Sequence, residues 1–377
     1  MQSFALQTRP AANLLRPSIS AICFERRLSF KARSSGAAPW RHQPSHFRGG
    51  SRLFATLIDP PRSSNIRDSL PPKGSALSSR RDLPLLEQYI YDRIQTVPAS
   101  ASLGGIYEKY RSNAGHVLDS QLPYEPRPNS SRRVGPAEDD GVVLVAHVAV
   151  SKNGRCRISL SSGFALDSEG ADREQCVVTC CHTLEEIARS IEPSSLSSPS
   201  GIYIFPSSRG APPIPVSGVL SSLPRHDILL LSIPPTCRLR TLPLSPYPAP
   251  GDSTLSIRLF SSPGRPEAQG ADEWMEWLDR HALRKWVQGG KVLGYRDFAG
   301  RESKTGTYDA LSHMLFDILP TPGSSGAPLV DEYGAVVGMA LGTRMDNRVE
   351  GNRGWGVPAE LIFEMFSLPG LKLNKKN

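Results

Sequence analysis

One segment, LPTPGSSGAPLVDEYGAVVGMALG at residues 319–342, restricts what this chain can fold into more than any other. Its apolar runs APLV and AVVGMAL are joined by DEYG, a pattern that predicts a β-hairpin. Directly before the hairpin the chain reads Gly323, Ser324, Ser325, Gly326. Such a run alone is a flexible turn; with two strands behind it, it becomes an anchored loop centred on Ser325. Glycine at 323 and 326 lets the backbone fold tightly there and leaves room for a carbonyl to approach. A serine hydroxyl is a poor nucleophile until a base takes its proton. The negative oxygen created by its attack needs backbone N–H groups aimed at it. Ser325 is therefore a candidate nucleophile, and its base must come from elsewhere in the chain.

Two upstream segments qualify. In QCVVTCCHTLEEI, residues 175–187, an apolar strand runs into His182 and then a short helical pattern. In RHDILLLSI, residues 225–233, Asp227 stands at the mouth of a buried apolar strand, a costly place for an unpaired carboxylate. The chain order is His182, Asp227, Ser325, with separations of 45 and 98 residues (227 − 182 and 325 − 227). That is the order of the chymotrypsin fold and differs from subtilisins and α/β-hydrolases. The Ser325 loop resembles the nucleophile loop of trypsin-like serine proteases, and the stretch through His182 resembles their strand-to-histidine segment. The resemblance implies that Ser325 attacks, His182 is the general base, and Asp227 orients and supports it. It also implies that the N–H groups of Gly323 and Ser325 hold the oxyanion, and that no cofactor or metal is needed.

Further segments resemble the HtrA (Deg-type) branch. SSGFALDSEG at 161–170 is similar to the strand before the histidine, LFDILPTPGSSGAPL at 315–329 to the segment before the serine, and GWGVPAELIFEMF at 354–366 to the closing strand and C-terminal helix. The resemblance covers about residues 141–368. It departs at Ala327, where a second glycine is usual, at Cys180 and Cys181 before the histidine, in a Trp-rich insertion at 271–288, and in having no PDZ domain. What it implies is an all-β, chymotrypsin-like double β-barrel with a C-terminal helix; the residues outside its pattern add a short helical insertion and a disordered N-terminal extension. The first barrel is expected at about 141–240 and the second at about 252–368, with residues 369–377 as a tail. Polypeptide substrates would add as a strand beside Ala340, Leu341 and Gly342. Leu319, six residues before Ser325 (325 − 319), aligns with the base of the specificity pocket. With no charge there, a medium apolar residue before the cleaved bond is expected; Asp317 shares a strand face with Leu319 and enters the pocket only if the alignment slips.

Composition agrees with short strands and long loops: 34 prolines and 32 glycines against 7% aromatics. No run of 18 or more apolar residues occurs, so no transmembrane helix is expected. The net charge of +8 first suggests nucleic acid or a membrane surface. Its location argues otherwise. Nine of the 44 basic and one of the 36 acidic residues lie in residues 1–55, which leaves 35 of each sign in the rest. That segment is Arg- and Ser-rich and nearly free of acids, the composition of a mitochondrial presequence, and SRLFAT at 51–56 resembles a matrix-processing site. A disordered basic tail is the alternative; matrix and intermembrane space are not distinguished.

The six cysteines lack the positions that secreted relatives use for disulfides; Thr183 follows the histidine, and no cysteine lies beyond Cys237. A reducing compartment fits better. The adjacent Cys180 and Cys181 read as small buried strand residues, with redox sensitivity open to them if exposed. Residues 56–140 read as a mostly disordered linker, loop-like over 99–140, with one amphipathic helix near 83–97 carrying Leu86, Tyr89, Ile90, Arg93 and Ile94 at helical spacing. It would dock on the barrel or, alternatively, on a partner. SSLSSPSG near 194 reads as a loop insertion. The Trp-rich insertion predicts a helix with Trp274, Trp277, Leu278, His281 and Lys285 on one side, either a lid or a face packed on the second barrel. Two functions remain: a serine endopeptidase working through an acyl-enzyme, or a catalytically silent protease fold used for binding or assembly. Neither requires nucleic acid, and the sequence does not specify an oligomer.

Overall fold

A computed structural model describes residues 78–136, 140–168, 175–190, 195–208, 211–260, 285–347 and 349–368. The expected presequence, the tail and most of the Trp-rich insertion lie outside these residues. All described elements belong to the compact unit Ile58–Asn377.

Two seven-stranded antiparallel sheets carry the fold. The first contains β1 (Val142–Ser151), β2 (Cys156–Leu166), β3 (Cys176–Cys180), β4 (Leu196–Phe205), β5 (Ile214–Pro215), β6 (Gly218–Leu223) and β7 (Ile228–Ser232), in the order β5-β4-β1-β2-β3-β7-β6. The second contains β8 (Thr254–Leu259), β9 (Lys285–Arg296), β10 (Glu302–Ser303), β11 (His313–Phe316), β12 (Pro328–Asp331), β13 (Val336–Asn347) and β14 (Gly351–Pro358). Its order is β10-β9-β11-β14-β13-β12-β8, and an additional β8–β9 pairing closes it. This is the expected double β-barrel. The hairpin read from residues 319–342 is β12 and β13, paired from Pro328↔Met339 to Val330↔Val336.

β1 is buried along its whole length because both faces are covered. Val143 and Val145 face a core with Ala165, Val177, Ile202, Leu229 and Leu231. Leu144, Ala146, Val148 and Val150 face the helix α1 (Leu85–Ile94), whose Leu86, Tyr89, Ile90 and Ile94 are buried against them. The amphipathic helix therefore docks on the first barrel, and Arg93 secures it with a 2.7 Å hydrogen bond to the Ala211 carbonyl. The second barrel has its own core of Leu255, Ile257, Val292, Met314, Phe316, Leu329 and Val337. A third cluster is shared between the sheets, with Phe164, Val178 and Ile228 from the first and Leu315, Met339, Trp355 and Val357 from the second. The C-terminal helix is a single turn, α4 (Glu360–Phe363), buried in that shared cluster.

Three expectations need correction. Residues 99–140 are not loop throughout, since α2 (Leu103–Ser112) packs on β6. Gly104 and Gly105 weaken its helical signal. Tertiary contacts hold it instead: buried Ile106 and Tyr110, a Ser102 cap on the Gly105 N–H, and a 2.6 Å bond from the Tyr110 hydroxyl to Glu185. The serine-rich stretch near 194 is strand from Leu196 onward. Its hydroxyls are accommodated because Ser197 and Ser200 donate to the Val150 carbonyl on the neighbouring strand. The insertion's last residues, with Trp286 and Val287, are strand β9 rather than helix, paired with β8 through Arg258↔Trp286 and Ile257↔Val287. The remainder of that predicted helix lies outside the described residues.

Candidate active site

His182 opens the helix α3 (His182–Ser190) directly after β3, and Asp227 ends the turn into β7, the neighbour of β3. The pairing Cys180↔Ile228 brings the two residues together. The Asp227 carboxylate is fully engaged. Its Oδ1 accepts the backbone N–H groups of Cys181 at 2.7 Å and His182 at 2.8 Å, and its Oδ2 lies 2.6 Å from His182 Nδ1. Asp227 adopts φ of 60°, a left-handed conformation uncommon for a residue with a side chain. The contacts of its carboxylate, together with the 3.3 Å bond from the Cys181 N–H to its carbonyl, hold it there. The cost anticipated for a carboxylate at this strand mouth is met by three donors.

Ser325 sits on the loop before β12 and is tied to the first barrel. The Ser162 N–H donates to the Ser325 carbonyl at 2.7 Å, and the Ser162 hydroxyl donates to the Gly323 carbonyl at 2.9 Å. A Cβ on Gly326 would lie 2.0 Å from the Ser162 carbonyl oxygen, so only glycine permits this approach at the observed φ of 90°. Buried Ser324 braces the loop from beneath, accepting the Phe260 N–H at 2.7 Å. The N–H groups of Gly323 and Ser325 have no acceptor among the described residues. The Ser325 hydroxyl donates to the Leu341 carbonyl at 2.8 Å, while His182 Nε2 lies 3.8 Å from Cys180 Sγ. Ser325 and His182 are thus not hydrogen-bonded to each other in this state. Catalytic hydrogen bonds often form only once substrate is present.

Burial disfavours the charged His182 ring, but the adjacent Asp227 carboxylate outweighs it, with help from Cys180, and the pKa lies well above the ordinary value. Behind it, His147 is fully buried with Nε2 3.0 Å from the Thr183 hydroxyl; burial and the nearby His182 push its pKa down to about 3. Cys180 and Cys181 are both buried, and Cys181 donates its thiol to the Ile228 carbonyl at 3.0 Å. The buried reading holds for both, but only Cys180 is on β3; Cys181 lies in the bend that follows it. The five described cysteines are free thiols.

The expected substrate edge divides at Ala340. Both its backbone groups are used inside the fold, the N–H by Ala327 and the carbonyl by Gly326. β12 pairs with β13 only as far as Met339, so from Leu341 onward β13 has β14 on one side and, among the described residues, no strand on the other. Leu341 and Gly342 therefore lie on the open edge, and Ala340 does not offer its backbone there. Leu319 is half exposed. Asp317 is directed to β9, its Oδ1 accepting the Lys291 N–H at 2.7 Å.

One row of side chains running out from His226, next to Asp227, leaves no signal in the sequence. Arg344 lies over Trp355, Trp355 stacks on His313, Phe298 meets His313 edge-on, and His226 packs on Phe298 next to Asp227. Burial, then Arg344 and His226, push the His313 pKa down to about 4. These residues come from five separate stretches of chain, and no local pattern links them. No cluster suited to a metal ion occurs among the described residues, and no described helix is long and apolar enough to cross a membrane.

Residues 161–339 match the family model of a trypsin-like peptidase domain. No curated protein matches the chain. Among solved structures it is similar to Rv3671c from M. tuberculosis, an inactive serine-to-alanine mutant, at 15% identity and a TM-score of 0.36, covering 66% of this chain and 95% of that one. The active form of the same protease gives 14% identity and a TM-score of 0.36, covering 68% and 93%. The fold assignment rests on the two sheets and on the family match.

Proposed function

We propose, from the premise that this chain carries a trypsin-like peptidase domain over residues 161–339, that it is a serine endopeptidase acting on polypeptides through an acyl-enzyme. The observation that carries this reading is the Asp227 carboxylate bonded to His182 Nδ1, beside a nucleophile loop with two N–H groups unengaged among the described residues. Ser325 attacks the scissile carbonyl as His182 Nε2 takes the hydroxyl proton. The carbonyl oxygen becomes negative and is held by the N–H groups of Gly323 and Ser325. His182 then passes the proton to the leaving amine, and water repeats the sequence to release the acid. Asp227 fixes the tautomer and supports the imidazolium. For this reaction the Ser325 hydroxyl must leave the Leu341 carbonyl, which is then free to accept an N–H from a substrate strand.

Uncharged Leu319 at the aligned position, with the Asp317 carboxylate turned to the Lys291 N–H instead, supports cleavage after a medium apolar residue such as Val, Leu, Ala or Met, with discrimination of about 1–3 kcal/mol per methylene. A peptide library digested by the protein lacking residues 1–55, beside a Ser325→Ala control, tests both points. Cleavage after apolar residues, absent from the control, is expected. Strong selection for Lys or Arg would overturn the specificity, and equal cleavage by the control would overturn the mechanism.

The separation of the Ser325 hydroxyl from His182 favours one alternative, a silent trypsin-fold protein that binds or assembles without turnover. We also propose mitochondrial import, supported by the concentration of net charge in residues 1–55. Those residues fused to a fluorescent protein should direct it to mitochondria; diffuse cytosolic fluorescence would reject this.

A further inference from the structure

The open edge of β13 leads from the nucleophile loop to a cation that, among the described residues, has no carboxylate of its own. Arg344 lies three residues beyond Leu341 (344 − 341), with its guanidinium carbon 4.2 Å from the centre of the Trp355 ring. The register explains the contact. Gly342 is opposite Trp355 and Arg344 opposite Arg353, so Arg344, Arg353 and Trp355 share a sheet face. Gly342 has no side chain to compete for the space, and the indole forms a platform for the guanidinium. His313 stacks on the same indole at 4.3 Å and steadies it.

Among the described residues Arg344 forms no hydrogen bond or ion pair. The acids nearest in sequence are engaged: Asp346 with Arg296 at 3.1 Å, and Glu350 with Arg353. Two arginines directly opposite on one face repel each other. Half-burial disfavours the Arg344 charge, and only the field of Asp346 opposes that. The arrangement has the form of a site awaiting an anion.

We infer that Arg344 selects polypeptide substrates carrying an acidic side chain about four residues before the scissile bond. The inference rests on the peptidase reading above and deepens it. A substrate strand added antiparallel to the open edge moves back one residue for each residue forward on β13. With the residue before the scissile bond beside Leu341, the one beside Arg344 is about the fourth before that bond. Directly opposed residues share a face, so its side chain meets the guanidinium. A carboxylate there accepts two parallel N–H···O bonds from a fork already oriented by the indole.

The test uses the Ser325→Ala protein and fluorescent peptides with an apolar residue before the scissile position. They differ only in bearing Glu, Gln or Lys at one position, moved in turn from the third to the fifth residue before the bond. At one of these positions Glu should bind about tenfold tighter than Gln, with Lys weakest, and the gap should narrow as salt rises. Arg344→Gln should remove the preference, and Arg344→Glu should reverse the order of Glu and Lys. With the Ser325-intact protein the preference should appear in KM rather than kcat. Equal affinity for Glu and Gln at all three positions, or no binding of any peptide, overturns the inference. Binding to the Ser325→Ala protein requires no turnover. A preserved charge preference without cleavage by the Ser325-intact protein would therefore count against the peptidase reading alone, and cleavage without charge preference against this inference alone.

Discussion

At the scale of single residues, Asp227 does most to define the site, because one carboxylate serves three donors. Replacing it with Asn keeps the shape and removes the charge. An amide can accept the two backbone N–H groups through its oxygen but then presents N–H to His182 Nδ1. The ring is driven to the tautomer with its proton on Nε2, where it cannot accept from Ser325. Asp227→Asn should leave the fold intact and lower kcat by about 10⁴-fold. The same carboxylate raises the His182 pKa. Only the neutral ring can take a proton, and a raised pKa keeps it charged to higher pH. Activity should therefore rise with pH through a midpoint above the ordinary imidazole value of about 6.5. The pH profile of kcat/KM reads this directly; a midpoint at or below the ordinary value would contradict the role given to Asp227.

At the scale of elements, the decisive junction is β2 against the Ser325 loop, where Ser162 holds the carbonyls of Gly323 and Ser325. Gly326→Ala places a methyl 2.0 Å from the Ser162 carbonyl oxygen in a left-handed conformation. It should cost at least about 2 kcal/mol, from strain and from the displaced loop, and abolish turnover. Thermal unfolding and peptide cleavage check this; a variant with unchanged Tm and rate would contradict the junction. Much of this was legible in the chain. The glycines flanking Ser325, the hairpin behind it, the apolar run into His182 and the strand after Asp227 each follow from local chemistry. What escaped depends on contacts distant in sequence. The helix α2 is specified by Tyr110 meeting Glu185 rather than by its own propensity. β4 hides its strand character behind Ser197 and Ser200, whose hydroxyls donate to the Val150 carbonyl. The row from His226 to Arg344 exists only once both sheets have formed. Nothing local announces that Ala327 and Gly326 already use the Ala340 backbone and so remove it from the substrate edge.

At the scale of the whole molecule, the two sheets divide the proposed triad: His182 and Asp227 belong to the first, Ser325 and the open strand edge to the second, and their shared apolar cluster holds the parts together. Neither sheet alone contains a complete site, so activity should be lost with global folding rather than piecemeal. The central claim is that Ser325 is a nucleophile activated by His182. A serine-reactive fluorophosphonate probe measures this with no knowledge of the substrate, since it is captured by an activated hydroxyl and can be located by mass spectrometry. The intact protein should label once, on Ser325. Ser325→Ala and His182→Ala should each fold normally and fail to label. No labelling of the intact protein, or labelling that persists in the folded Ser325→Ala variant, would contradict it.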